Sequence, residues 1–182
     1  MKKTLAIDFD DVLCDTVRAF LDFNKSRYGV DAVYDKNCAE VLHISDAEEL
    51  KRWEEFFALP EFCDPKPTEH LAEDLRVLKG EYRLIILTAR EKEWKDQVSR
   101  WVGKYLPDIF EEIIFIADLE NTLKGGLCKH LDIYALVDDD PGQITSCIEC
   151  GVKVFVFDKP WNREVSRDAI RIKSISEISA LL

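Results

Sequence analysis

Asp8 and Asp10 stand two residues apart where the apolar run Leu5-Ala6-Ile7 gives out, and in an extended chain they point the same way. Far along the sequence, "YALVDDD" delivers Asp138, Asp139 and Asp140 at the end of another apolar run. "RLIILTAR" delivers Thr88, and "LKGGLCKHLDI" carries Lys124 and Lys129. A buried carboxylate costs several kcal/mol unless it is paired or bound to metal. Asp8, Asp10 and Asp139 around one point therefore demand a cation. Oxygen donors with no histidine or thiolate nearby predict Mg²⁺, which keeps several waters and takes one or two carboxylates plus a substrate phosphate. Lys124 adds positive charge and the Thr88 hydroxyl a neutral donor, making a charge-compensated socket for a phosphoryl group. In such a socket one carboxylate can act as nucleophile through an aspartyl-phosphate. Asp10 can protonate the leaving alkoxide and then deprotonate water.

These residues meet only if the elements between them stack correctly. Runs at Leu5–Asp8, Tyr82–Leu87, Ile113–Ile116, Tyr134–Val137 and Val152–Phe157 have the length and composition of buried parallel strands. Amphipathic helices alternate with them. Trp94, Val98, Trp101, Val102 and Tyr105 share one helical face. Pro141 opens a helix that Gly151 ends, and "SISEISALL" reads as a last short one. The predicted fold is α/β: a Rossmann-like, three-layer α/β/α parallel sheet with ligands beyond the carboxyl ends of its strands.

About seventy residues without a strand separate the first two strands, more than one crossover helix requires. Ser45-x-x-Glu48 forms a capping box for a helix placing Ala47, Leu50, Trp53 and Phe57 on one face. "LPEFCDPKPTEH" is a loop. Thr68 then caps a helix with Leu71, Leu75 and Leu78, and Gly80 ends it. The expected division is a core domain of residues 1–14 and 65–182, with residues 15–64 as a small helical cap. Phe20, Phe23, Trp53, Phe56 and Phe57 supply that lobe's own core.

The 182 residues carry 25 Lys+Arg against 36 Asp+Glu, a net charge of −11, which disfavours nucleic-acid polymers and anionic membranes and favours a small substrate. Met1-Lys2-Lys3 is followed by an apolar run too short for an export signal, and no run is long enough to span a membrane. The cysteines at 14, 38, 63, 128, 147 and 150 are therefore expected as reduced thiols of a cytoplasmic protein. Cys147 and Cys150 form a C-x-x-C inside a predicted helix and read as packed thiols rather than a metal or redox pair.

In this order, "DFDDVL", "IILT", Lys124 and "LVDDD" resemble the four motifs of the haloacid dehalogenase superfamily. "FFALPEFCDPKP", "LKGGLCKHLDIYALVDDDP" and "VFVFDKPWNR" are similar to segments of its small 5'-nucleotidase group, which includes the 5'(3')-deoxyribonucleotidases. The resemblance implies Asp8 as nucleophile and Asp10 as acid/base, with Thr88, Ala89 and Lys124 on the phosphate. Mg²⁺ would be held by Asp8, the Asp10 carbonyl and Asp138 or Asp139, Asp139 preferred. It implies a Mg²⁺-dependent phosphomonoesterase for nucleoside monophosphates, with a sugar phosphate or other small ester as the alternative. Two positions depart from the group: Asp11 replaces a common glycine, and "PKPT" replaces a Pro-Gly. A receiver-type phosphoacceptor would need Asp118 after the third strand. An inactive binding protein would not need all four motifs. A haloacid dehalogenase proper would have no use for Asp10.

Overall fold

Period-two alternation of apolar side chains builds the centre of the molecule. The computed structural model describes residues 2–59, 64–68, 70–119 and 123–182. Six strands, β1 (Thr4–Ile7), β2 (Arg83–Thr88), β3 (Glu112–Phe115), β4 (Ile133–Asp138), β5 (Lys153–Phe157) and β6 (Ile170–Ile172), form one parallel sheet in the order β3-β2-β1-β4-β5-β6. Leu5, Ile7, Leu84, Ile86, Ala135 and Val137 face one side, and Ala6, Ile85, Leu87 and Leu136 the other. Successive strand residues thus feed opposite faces, and each face needs its own cover.

Helices supply that cover. The first face packs against α4 (Leu71–Glu81), α5 (Lys95–Tyr105) and α8 (Ile178–Leu181), through residues such as Leu75, Trp101 and Ile178. The second packs against α6 (Lys124–His130) and α7 (Pro141–Glu149), through Cys128, Ile144 and Cys147. This is the three-layer, Rossmann-like architecture expected. The five expected strands fall within one residue of their positions, and β6 is an addition at the sheet edge.

Between β1 and α4 lie α1 (Thr16–Tyr28), α2 (Cys38–Val41) and α3 (Asp46–Ala58). They close around an apolar cluster separate from both sheet faces, containing Phe20, Phe23, Leu42 and Phe56. Phe20 and Trp53 stack with centroids 3.5 Å apart and 8° between planes. The α3 face differs from expectation. Leu50 is 63% exposed and Ala47 is exposed, whereas Arg52 and Phe56 are buried. Arg52 can be buried because it donates to Asn24 Oδ1 and Glu48 Oε1, both at 2.9 Å, and lies over the Tyr28 ring. That pairing also uses up Glu48, so only half the capping box forms: Ser45 Oγ accepts from Glu48 N at 3.2 Å.

Two helix ends also differ. His70, in the left-handed region at φ 62°, occupies the N-cap of α4 rather than Thr68, and Gly80 lies inside that helix, which ends at Tyr82. Apolar contacts of Leu71, Leu75 and Leu78 set the length of α4 more firmly than its terminal signals. Part of the loop before α4, at 60–63 with Cys63, lies outside the described residues. Among the described residues no helix is long and apolar enough to cross a membrane.

Candidate active site

The sheet order reverses direction at β1 and β4, and the crevice there collects the candidate groups. Asp8 follows β1, its N–H donating to Val137 O at 2.9 Å. The chain then turns sharply: Asp11 N–H reaches Cys14 O at 2.8 Å with Asp11 at φ 58°. Glycine serves such a backbone without penalty, and Asp is among the few other residues that tolerate it. β4 ends in Asp138, and Asp140 caps α7, its side chain accepting from Gln143 N at 2.9 Å. Gln143 in turn accepts from Lys124 N at 2.8 Å, fixing the start of α6. Gly125 permits this contact, because a Cβ there would sit 2.2 Å from the Ser146 carbonyl oxygen. "KGG" is thus the close approach that lets α6 aim its lysine inward.

Lys124 is 1% exposed and bridges Asp8 Oδ1 and Asp138 Oδ2, the latter at 2.7 Å. Lys129 is exposed, and Lys124 is the one of the two lysines that lies among these carboxylates. Oxygens of Asp8, Asp138 and Asp139 lie within 4.8 Å of one another, and all three residues are buried. Burial, opposed by Lys124 and reinforced by Asp138, Asp139 and Asp10, raises Asp8 well above the carboxylate range. Burial likewise pushes Asp139 up to about 7, against the pull of Lys36. Crowded hard-oxygen donors that resist carrying their charges together fit a divalent cation.

The Asp10 carboxylate belongs to a different contact. Arg90 clasps it, Nε to Oδ2 at 2.9 Å and Nη2 to Oδ1 at 2.6 Å, and Thr16 Oγ1 donates to Oδ1 at 2.5 Å. Burial works to raise Asp10, but the Arg90 charge, the Arg90 hydrogen bonds and Thr16 outweigh it and hold the carboxyl below its ordinary value. Thr88 is fully buried, its hydroxyl accepting from Arg90 N at 3.1 Å, and it stands behind the cavity wall that Ala89 and Arg90 form.

The cavity so enclosed has a volume of about 240 Å³ and is lined by six aspartates against Lys36, Arg90 and Lys124. A second cavity of about 360 Å³ adjoins it, sharing Asp10, Asp11 and Lys36 and walled by Trp53 and Phe57 of α3. Sequence reasoning missed three cations. Arg90 lies two residues past a strand end, where the rule that placed Thr88 also points. Lys36 reaches Asp140 Oδ2 at 2.6 Å, and Lys159 reaches Asp15 Oδ1 at 2.8 Å and Tyr34 Oη at 3.0 Å. Lys36 sits in no quoted motif, and Lys159 lies inside "VFVFDKPWNR" without having been singled out there. The Asp118 side chain lies outside the described ones.

A parallel sheet in this order, with a paired acidic turn after β1, a buried lysine and acidic residues after β4, defines a phosphatase of the haloacid dehalogenase superfamily. The family model described as "5' nucleotidase, deoxy (Pyrimidine), cytosolic type C protein" matches residues 2–182, and the chain belongs to that family of nucleotidases. Among solved structures it is similar to a haloacid dehalogenase superfamily hydrolase, subfamily IA, of Geobacter sulfurreducens, with 22% identity and a TM-score of 0.70 over 100% of this chain and 96% of that one. A putative phosphatase of Clostridium difficile aligns at 16% identity and TM-score 0.69, covering 100% and 99%. A haloacid dehalogenase-like hydrolase of Streptococcus pneumoniae aligns at 12% and 0.70, covering 99% and 98%. No curated protein matches the chain.

Proposed function

We propose that the protein hydrolyses nucleoside monophosphates with Mg²⁺, using Asp8 as nucleophile and Asp10 as acid and base. The observation that carries this reading is the convergence of Asp8, Asp138 and Asp139 beside Lys124, in a cavity that opens onto an aromatic-walled chamber. Residues 15–64 act as the cap supplying that chamber's walls, and residues 1–14 with 65–182 as the catalytic core. Asp8, Asp138 or Asp139 and the Asp10 carbonyl would hold Mg²⁺, which when bound supplies the charge that lets a phosphate dianion approach these carboxylates.

Ala89 and Lys124, both on the cavity wall, hold the phosphoryl oxygens, while Thr88 fixes the loop behind them through Arg90 N–H. An Asp8 oxygen forms a bond to phosphorus as the ester P–O bond breaks, and the leaving alkoxide takes a proton from Asp10. Water then attacks the aspartyl-phosphate, returns a proton to Asp10 and releases phosphate. Arg90 and Thr16 keep Asp10 in the base form that the second step needs. A phosphate dianion drawing the Arg90 guanidinium toward itself loosens that hold, which favours the acid form for the first step. The described cysteines are free, and four of the five are buried, which suits a reducing, cytoplasmic setting.

The test is Mg²⁺-dependent phosphate release from a panel of nucleoside monophosphates and sugar phosphates. Asp8→Asn is expected to fold normally and lose about 10³-fold or more in kcat. Unchanged turnover in that variant rules out the covalent step, and uniformly faster hydrolysis of sugar phosphates rules out the nucleotide assignment alone.

A further inference from the structure

Of the described residues that line the 240 Å³ cavity, Lys36 is the one contributed by the α1–α3 lobe. It lies in the segment between α1 and α2, which is fastened on both sides of it. Tyr34 Oη accepts from Lys159 Nζ at 3.0 Å and donates to Asp11 Oδ1 at 3.3 Å, and its ring lies 5.3 Å from that of Trp161 between centroids. Asn37 caps α2, its side chain accepting from Glu40 N at 3.4 Å. Between these anchors Lys36 is aimed at the end of β4, where its Nζ lies 2.6 Å from Asp140 Oδ2 and 4.0 Å from Asp139 Oδ2.

The three cations of the cavity are not equivalent. Lys124 is buried and bridges Asp8 and Asp138, and Arg90 is buried and clasps Asp10. Lys36 is partly exposed, and so is its close partner Asp140. An ion pair open to water is weak and readily exchanged, and a lysine is a flexible point charge with three donors. Burial opposes that charge, but Asp139 and Asp140 outweigh it and hold Lys36 above the ordinary lysine value, so it stays charged through neutral pH. Such a charge acts with opposite sign on two ligands. It attracts a phosphate dianion entering the cavity, and Lys36 can turn from Asp140 to a phosphoryl oxygen. It repels a divalent cation held among Asp8, Asp138 and Asp139, because its ammonium already stands beside one of those carboxylates.

We propose that Lys36 is a ligand of the transferred phosphate, supplied by the α1–α3 lobe, and that its charge weakens the binding of Mg²⁺ alone; this rests on the phosphate socket of the proposed function. The metal and the phosphate then fill the socket as a pair. The lobe also touches the group that reacts, and not only the part of the substrate that leaves.

The experiment is a pair of calorimetric titrations, Mg²⁺ alone and inorganic phosphate into Mg²⁺-saturated protein, on the wild type, Lys36→Met and Lys36→Arg. Added KCl screens the diffuse surface charge. In Lys36→Met, Mg²⁺ is expected to bind about threefold or more tighter and phosphate about tenfold weaker, with Lys36→Arg close to the wild type in both. A lysine that merely fastened the lobe would move both affinities the same way or neither, so any pattern other than opposite shifts overturns the proposal. With esters, kcat/KM of Lys36→Met should fall by a common factor of about tenfold for a nucleoside monophosphate and a small sugar phosphate, since the contact is to the group they share. A loss confined to nucleotides overturns it as well. Wild-type protein that shows the opposite shifts but hydrolyses no ester removes the hydrolytic assignment and keeps Lys36's role. Hydrolysis that Lys36→Met leaves unchanged does the reverse.

Discussion

Asp11 is 4% exposed and lies 4.0 Å from Lys159, yet burial pushes its carboxyl up to about 7, reinforced by the Asp10 charge and opposed by Lys159 and the Val17 N–H. In the unfolded chain the same group titrates near ~3.9. Its folded-state value is the higher one, so the neutral form favours folding. That contribution is complete below pH ~4 and is lost as pH rises toward 7. A gap of about three units at ~1.4 kcal/mol each sets an upper bound of about 4 kcal/mol on what ionising Asp11 costs the fold. Asp11→Asn removes the titration. It keeps a side-chain oxygen for Val17 N and Tyr34 Oη, and it tolerates φ 58° as well as Asp does. Urea melts in EDTA between pH 4 and 8 should show the variant near wild-type stability at pH 4 and more stable by a few kcal/mol at pH 8. Most of the divergence should fall between pH 4 and 7. A stability difference that stays flat across this range would refute the reasoning, because a steric or hydrogen-bonding effect does not track protonation.

Lys124→Met strands Asp8 and Asp138 without their shared cation, and should cost about 3–5 kcal/mol in EDTA melts, with part of it recovered on adding Mg²⁺. Gly125→Ala forces α6 off α7 at Ser146 and should destabilise by about 1–3 kcal/mol, while raising KM through the displaced Lys124. Arg90→Gln removes the charge that holds Asp10 down, so the acidic limb of the kcat profile, set by the base of the second step, should move to higher pH, as a rate profile from pH 4 to 8 under saturating substrate would record. In the wild type the Asp10–Arg90 pair stabilises above the unfolded carboxyl value and is lost as pH falls through the lower folded one, the opposite sense to Asp11.

Strand runs and their acidic ends were legible because buried parallel strands leave a continuous apolar signal, and topology then puts Asp8, Thr88, Lys124 and Asp138 at one edge. β6 was not, since Ile170–Ile172 is a three-residue edge strand with a charged centre. Thr68 and Gly80 misled because helix termini yield to tertiary packing, and Leu50 because a buried Arg52–Asn24 pair rotates the contact face of α3. Lys36, Arg90 and Lys159 are single cations whose partners lie 80 to 144 residues away in sequence, a pairing no local pattern encodes. Asp11, set apart by sequence as a departure from glycine, has its reason in the positive φ of the turn.

The contacts joining the α1–α3 lobe to the sheet edge include several that are ionic or polar: Lys36 to Asp140, Tyr34 to Lys159 and Asp11, and Gln97 to Phe57 O at 2.5 Å. Both partners in the Lys36–Asp140 pair are partly solvent-exposed, at 40% and 35%. Such a seam weakens as counterions accumulate around it, whereas an apolar one tightens in the presence of excluded salts. Added salt therefore loosens the hold of the α1–α3 lobe on the sheet edge while its apolar cluster stays intact, so the strength of this seam is set in part by the medium and not by the chemistry at Asp8.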